Sequence, residues 1–265
     1  MPEFLQAALL GFVQGLTEFL PVSSSGHLVL FQALLGQDFS FADSPLVFDL
    51  VLHMGTLLPV LLYYRRDLLG LLAALGGRSS EETREARRLI GLLVLATLPT
   101  GLMGALLKDS FERVFHEPMA VFIALGLTGL LLASTRWAPR RDLVLGVPIA
   151  LALGVAQGLA ITPGVSRSGT TIAVGLWLGL DRVTAARFSF LMSIPAILGA
   201  MLLTAKDVAS VDAARLPMMG LGFCVAATSG YFALAWLVRL VRSGRFWAFA
   251  GYLIPLSLLG LLALT

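Results

Sequence analysis

Long apolar runs and short polar breaks alternate along the chain, and the runs are of two kinds. Six of them, at about residues 48–64, 89–107, 118–135, 185–204, 217–238 and 246–264, are each near the length a helix needs to cross the hydrocarbon core of a bilayer. Two further stretches are interrupted: residues 4–20 with 26–36, and 143–160 with 168–180, each broken by a short turn of Pro, Gly and Ser residues. Their second arms, 11 and 13 residues long, are too short to cross. Irregular backbone at membrane depth is tolerated only where protein or a wet cavity surrounds it. The pattern predicts an all-α integral membrane protein with six transmembrane helices and two re-entrant helix-turn-helix hairpins, 4–36 and 143–180.

The two interrupted stretches are copies of one another. Residues Gly11–His27 (GFVQGLTEFLPVSSSGH) and Gly154–Thr170 (GVAQGLAITPGVSRSGT) align without a gap and share 8 of 17 positions. They divide a single membrane domain, residues 1–265, into halves 1–135 and 143–265, each a hairpin followed by three spans. The charges give the halves a direction. With segment 65–88 on the inside, 14 of the 19 lysines and arginines fall in inside segments, while Lys108, Arg113, Lys206 and Arg215 fall outside and Arg167 lies within the second turn. This positive-inside bias puts both termini outside and makes the halves an inverted-topology repeat. Hairpin one then enters from the outside and hairpin two from the inside, so their turns converge near the midplane.

Composition narrows the field. Residues of hydrophobic type make up 57% of the chain and charged residues 13%, about half the charged share of ordinary soluble domains. A net charge of +3 follows from the loop arginines and is no argument for nucleic acid. The start MPEFLQAALL has no basic opening and no A-x-A-like site after it, so no cleavable signal peptide is expected. The single cysteine, Cys224, excludes an internal disulfide and the usual thiolate metal sites. No P-loop and no HExxH occurs, which argues against nucleotide hydrolysis and zinc peptidase chemistry.

Several polar groups then stand out. Glu18 lies in an apolar helix arm, where a carboxylate is costly unless it faces a cavity, a cation or a partner such as Arg167; the plain alternative is a side chain reaching to the surface. Gln14, one turn earlier, either adds a second oxygen ligand or simply bonds to backbone. Ser23, Ser24, Ser25 and Gly26 form a turn whose N–H groups can point at an anion, or a turn built of Ser and Gly because they suit caps. Ser24 and His27, three apart, can act together as nucleophile and acid/base; His53 is a weaker candidate and His116 a loop residue. Arg167 at a midplane turn needs an anion: a phosphate, which its guanidinium matches bidentately, or Glu18 as a structural pair. Ser166, Ser168, Thr170 and Thr171 surround it with hydroxyl donors. Together these residues describe a phosphate or diphosphate site with a divalent cation bridging Glu18 and phosphate oxygens.

At these residues the chain resembles the bacterial undecaprenyl-diphosphate phosphatases of the bacitracin-resistance type. QGLTEFLPVSSSGH resembles the first family signature, a Glu or Gln three residues ahead of a Glu and followed by Pro-Val-Ser-Ser-(Ser or Thr)-Gly-His; PGVSRSG resembles the second, Pro-Gly-x-Ser-Arg-Ser-Gly. The resemblance covers nearly the whole length. It implies a multi-pass inner-membrane enzyme that converts the C55 isoprenyl diphosphate to the monophosphate and so recycles the cell-wall lipid carrier. It also implies a divalent cation (Mg2+ or Ca2+), a site facing the periplasmic side and a homodimer. Glu18 takes the place of the essential second acid, Gln14 the place of the first, Ser24 and His27 the nucleophile and acid/base positions, and Arg167 that of the phosphate-binding arginine. Gln14, where relatives often carry Glu, favours a cation held by one carboxylate, phosphate oxygens and water. On this reading Ser24 attacks with help from His27, while Arg167, Ser23, Ser25, Gly26, Ser166, Ser168 and Thr171 bind the substrate and Glu18 with Gln14 holds the metal. The rival from another class is a lipid-phosphate transporter or flippase, because inverted repeats with broken helices are also transporter architecture.

Overall fold

In the computed structural model, which describes residues 3–35, 45–76, 80–107, 114, 117–203 and 213–264, the regular elements among those residues are all helical. Helices α1 (Glu3–Phe19) and α2 (Ser24–Leu35) are followed by α3 (Pro45–Tyr63), α4 (Arg65–Gly76), α5 (Glu81–Leu106) and α6 (Pro118–Ser134). The second half runs α7 (Val147–Leu159), α8 (Arg167–Trp177), α9 (Arg182–Leu203), α10 (Leu216–Arg242) and α11 (Ala250–Ala263). The expected positions of Arg78, Lys108, Arg113, His116 and Lys206 lie outside the described residues.

Helix ends follow local chemistry. Ser80 caps α5 by accepting from the Thr83 N–H, and Glu81 and Glu82 complement the dipole in its first turn. Asp181 caps α9, its Oδ1 accepting from the N–H groups of Val183 (2.9 Å) and Thr184 (3.0 Å). Burial alone would raise this carboxyl, but the hydrogen bonds from Thr184 and Val183 outweigh it and hold it below the usual carboxylate range. Helix α5, with 26 residues, is about 39 Å long and exceeds the roughly 30 Å hydrocarbon core. Its Val94, Leu98, Leu102 and Leu106 point outward at four-residue spacing, an exposed apolar stripe that a lipid surround accounts for.

Among the described residues, five helices are long and apolar enough to cross a membrane: those beginning at Glu81, Pro118, Arg182, Ala213 and Phe246. A sixth span results if α3 and α4 count together, although they bend by 78° at Tyr64. The protein is therefore a multi-pass membrane protein. Within segment 65–88, residues 65–76 form α4. Its Leu69, Leu72 and Leu75 lie on the exposed side while an ion pair from Asp67 to Arg187 ties the helix to α9. The two interrupted stretches are broken where expected, and α2 and α8 have 12 and 11 residues. At about 1.5 Å per residue neither is long enough to cross.

The first arm of each copy packs on the opposite half. Helix α1 lies against α10, and α7 lies against α5. The shared glycines explain the closeness. A Cβ on Gly11 would stand 2.4 Å from the Gly222 carbonyl oxygen, and one on Gly154 would stand 2.2 Å from the Ala96 carbonyl oxygen. Close backbone approach through small residues is the usual glue between membrane helices. Because the clash is with backbone, Gly154→Ala forces the helices apart and is expected to cost about 1–3 kcal/mol, read as a lowered thermal midpoint in detergent. Gly101→Ala, on the open outer side of α5 with nothing near its Cβ position, should leave that midpoint within about 2 °C.

Candidate active site

The two turns are built alike. After α1 the chain breaks at Leu20–Ser23, and Ser23 takes the left-handed region with φ 68°, a conformation that costs a non-glycine residue about 1–3 kcal/mol. Its Oγ accepts from the Gly26 N–H (3.3 Å) and its carbonyl accepts from the His27 N–H (3.1 Å), so it caps α2. Ser166 does the same for α8, with Oγ accepting from Gly169 N–H (3.1 Å) and the carbonyl from Thr170 N–H (2.8 Å). The hydroxyls of Ser25 and Ser168 lie 3.4 Å from those of Ser23 and Ser166 respectively. The turns touch: a Cβ on Gly26 would meet Gly164 at 3.1 Å, and Ser168 donates to the Phe19 carbonyl at 2.8 Å. Thr128 of α6 fastens the second turn through the Gly164 carbonyl.

Glu18 sits where they meet, 8% exposed near the end of α1. Its Oε2 accepts from Ser24 Oγ (2.8 Å) and Gln14 Nε2 (3.0 Å), and His53 Nε2 lies 3.5 Å away. Its Oε1 is bonded by Nη2 of Arg167. Ser24 and Arg167 are equivalent positions of the two copies, each the first residue of its second arm, and they engage the two oxygens of one carboxylate. Arg167 Nη1 is buried and has no hydrogen-bond partner. A donor in that state is an open position for an anion.

Glu18, Ser24, Arg167 and His53 line one cavity of 260 Å³, together with Ser23, Ser25 and Ser166. The same cavity is lined by the apolar side chains of Ile161, Val165, Ala196, Ile197 and Ala200. Such a mixed lining suits a charged head that carries a hydrocarbon.

Several expected roles are not matched by position. His27 does not reach Ser24: its Nδ1 lies 2.9 Å from the Ser23 carbonyl and its Nε2 2.7 Å from the Tyr252 hydroxyl, so both ring nitrogens are engaged elsewhere. The reason is local, since the cap at Ser23 presents its carbonyl one turn back along the helix. Gly26, Ser168 and Thr171 do not line the cavity either. Ser168 is spent on the Phe19 carbonyl, and Thr171 on the Arg167 carbonyl and Ser189. Thr17, Thr100, Gln157 and Ser193 line the cavity and were not expected there, and Tyr252 enters only as the partner of His27. Of these only Gln157 carried a signal, as the duplicate of Gln14.

For a divalent cation the fit is specific. Among the described residues no group of three or more His, Cys, Asp or Glu side chains is arranged to hold one. Glu18 does line the cavity, and the Oε1 of Gln14 behind it is buried without a partner. That donor set suits a hard cation taking most of its oxygens from phosphate and water, as Mg2+ commonly does.

Comparison with known proteins identifies the family. Residues 7–259 match the family described as bacitracin resistance protein BacA. An undecaprenyl-diphosphatase of Desulfosudis oleivorans is 46% identical over 94% of this chain and 94% of its own. One of Rubrobacter xylanophilus is 43% identical over 98% of this chain and 97% of its own, and one of Methanosphaera stadtmanae is 39% identical over 95% of both. The chain belongs to the BacA family.

Proposed function

We propose that the chain hydrolyses undecaprenyl diphosphate to undecaprenyl phosphate and inorganic phosphate, as the names of its relatives state for them. One observation carries the reading beyond the names: Ser24 and Arg167, from opposite copies, bond the two oxygens of Glu18 in a cavity that apolar side chains also line. The diphosphate head lies against Glu18 and Arg167, and the isoprenyl tail leaves past Ile161 and Ala200. Arg167 turns its unpartnered Nη1 to the terminal phosphoryl group and stabilises the charge spread over its oxygens. Ser24 Oγ attacks phosphorus while its proton passes to Glu18 Oε2, the base already bonded to it. The anhydride P–O bond breaks, the lipid monophosphate leaves with the bonding pair, and water then releases phosphate from Ser24. Glu18 and Gln14 Oε1 would hold a divalent cation, which would supply neutralisation of phosphate charge. His27 acts through position, anchoring the first turn between Ser23 and Tyr252.

Three features support an inverted-topology repeat of two re-entrant hairpins: exchanged packing of α1 on α10 and α7 on α5, matched serine caps, and second arms too short to cross. With the arginine-rich segments inside, the cavity opens to the periplasmic side of the inner membrane. The resemblance adds a homodimer. The transporter reading has no observation of its own in its favour. Chelation tests the cation directly: EDTA should stop phosphate release and added Mg2+ or Ca2+ should restore it. Full activity in excess chelator would remove the metal from the mechanism.

A further inference from the structure

The four tryptophans of the chain all stand at one end of the helix bundle. Trp137 and Trp177 are the last residues of the short turn Thr135–Trp137 and of α8, Trp236 lies in the last turns of α10, and Trp247 sits in the turn Phe246–Phe249 that leads into α11. Contacts join them: Trp177 Nε1 donates to Ser134 Oγ (2.9 Å), Arg136 lies 5.2 Å over the Trp247 ring, and Trp236 meets Phe249 edge-on at 6.0 Å. Each of the four is 38% exposed or more. Exposed tryptophan collects at the headgroup level of a bilayer, so this end of the bundle lies at one membrane surface. A cavity of 390 Å³ lies there, and among the described residues it shares no lining with the cavity at Glu18. Arg136, Arg140 and Arg182 line it beside Trp247, and Leu176 and Leu180 add apolar surface. Arg182 Nη1 donates to the Arg242 carbonyl (3.4 Å) next to Gly244, where a Cβ would stand 2.5 Å from Nη2. Gly244, with φ 76°, leaves the room that guanidinium needs. The three arginines outnumber the two aspartates of the lining, and Asp181 is already spent on the N–H groups of Val183 and Thr184.

We propose that this cavity binds the head group of an anionic membrane lipid, with Arg136, Arg140 and Arg182 taking its phosphate and Trp247, Leu176 and Leu180 its apolar part. Guanidinium matches phosphate oxygens bidentately, and basic pockets between membrane helices at headgroup depth recognise anionic lipids. The tryptophans supply the depth and the arginines the charge, and neither feature follows from the other. Free phosphate shares the chemistry of the head but has nothing to set against the apolar lining. The site also stands apart from the hydrolytic one. Helix α8 begins at Arg167 and ends at Trp177, a separation of about 15 Å along its axis.

The test is native mass spectrometry of the delipidated chain titrated with phosphatidylglycerol, with phosphatidylcholine and inorganic phosphate as comparison ligands. At its tightest site wild type should bind phosphatidylglycerol about tenfold or more better than phosphatidylcholine, and about 1 mM inorganic phosphate should not displace it. Arg136→Gln combined with Arg140→Gln should weaken that binding about tenfold or more. The charge-matched pair Arg65→Gln with Arg84→Gln, at exposed arginines outside the cavity, should stay within about twofold of wild type. Arg140→Gln alone leaves Arg136 over Trp247 and should still weaken binding about threefold, so a double variant that fails to fold does not hide the result. Equal binding of the two lipids would overturn the proposal. So would displacement by inorganic phosphate, unaltered binding in Arg140→Gln, or a loss in the control pair as large as in the cavity pair, which is general attraction to a basic surface.

Discussion

Arg167→Ala should lower kcat/KM for phosphate release by about 10³-fold or more, a loss of about 4 kcal/mol in transition-state stabilisation. The argument is geometric. Arg167 spends Nη2 on Glu18 and leaves its buried Nη1 without a partner, and among the described residues no other arginine or lysine lines the cavity. Truncation removes the open donor and also leaves the Glu18 carboxylate without its cation, so a fall in thermal stability should accompany the kinetic loss. Arg167→Lys separates the two effects. It keeps a charge beside Glu18 and loses the planar fork, so stability should recover while activity stays about 10–100-fold down. Near-normal turnover in Arg167→Ala would refute the site.

Ser24→Ala should be comparably severe, on the order of 10³-fold or more in kcat, because it removes the attacking oxygen and the proton that Glu18 receives. The substitution deletes one half-buried oxygen and leaves the cap at Ser23 intact, so the fold should be unaffected. Glu18→Gln should lose about 10²–10⁴-fold, as the base is gone while a similar shape remains. Acid quenching of labelled substrate should leave label on Ser24 in wild type. Label absent from every residue would replace covalent catalysis with direct attack by water.

Much of this site is legible as sequence because duplication writes it twice. The repeated Gly11 and Gly154 sit where helices cross backbone to backbone, and the repeated Ser-x-x-Gly is a helix cap in both copies. The second arms begin within two residues of the expected positions, since a capping serine is a sharp local signal. What spacing does not convey is which side chain turns toward which. Ser24 and His27 are three apart, a spacing that suggests contact, yet the ring of His27 folds back onto the Ser23 carbonyl and outward to Tyr252, 225 residues away. Ser24 instead reaches back across the turn to Glu18, and Arg167 arrives from 149 residues away. The bend between α3 and α4 is also silent, because Tyr64 and Arg65 carry neither Pro nor Gly to mark it. His53 looked weak because an isolated histidine in an apolar run has no local partner; its partner is Glu18 on another helix.

The central claim is that the two turns form one site that breaks a phosphoanhydride bond. The most direct measurement is phosphate release from undecaprenyl diphosphate by the purified chain in detergent, with divalent cation and with no membrane across which lipid could be moved. The account predicts steady turnover, with one inorganic phosphate formed for each lipid monophosphate. No release under those conditions is the behaviour of a protein that only carries the lipid across, and it would contradict the account.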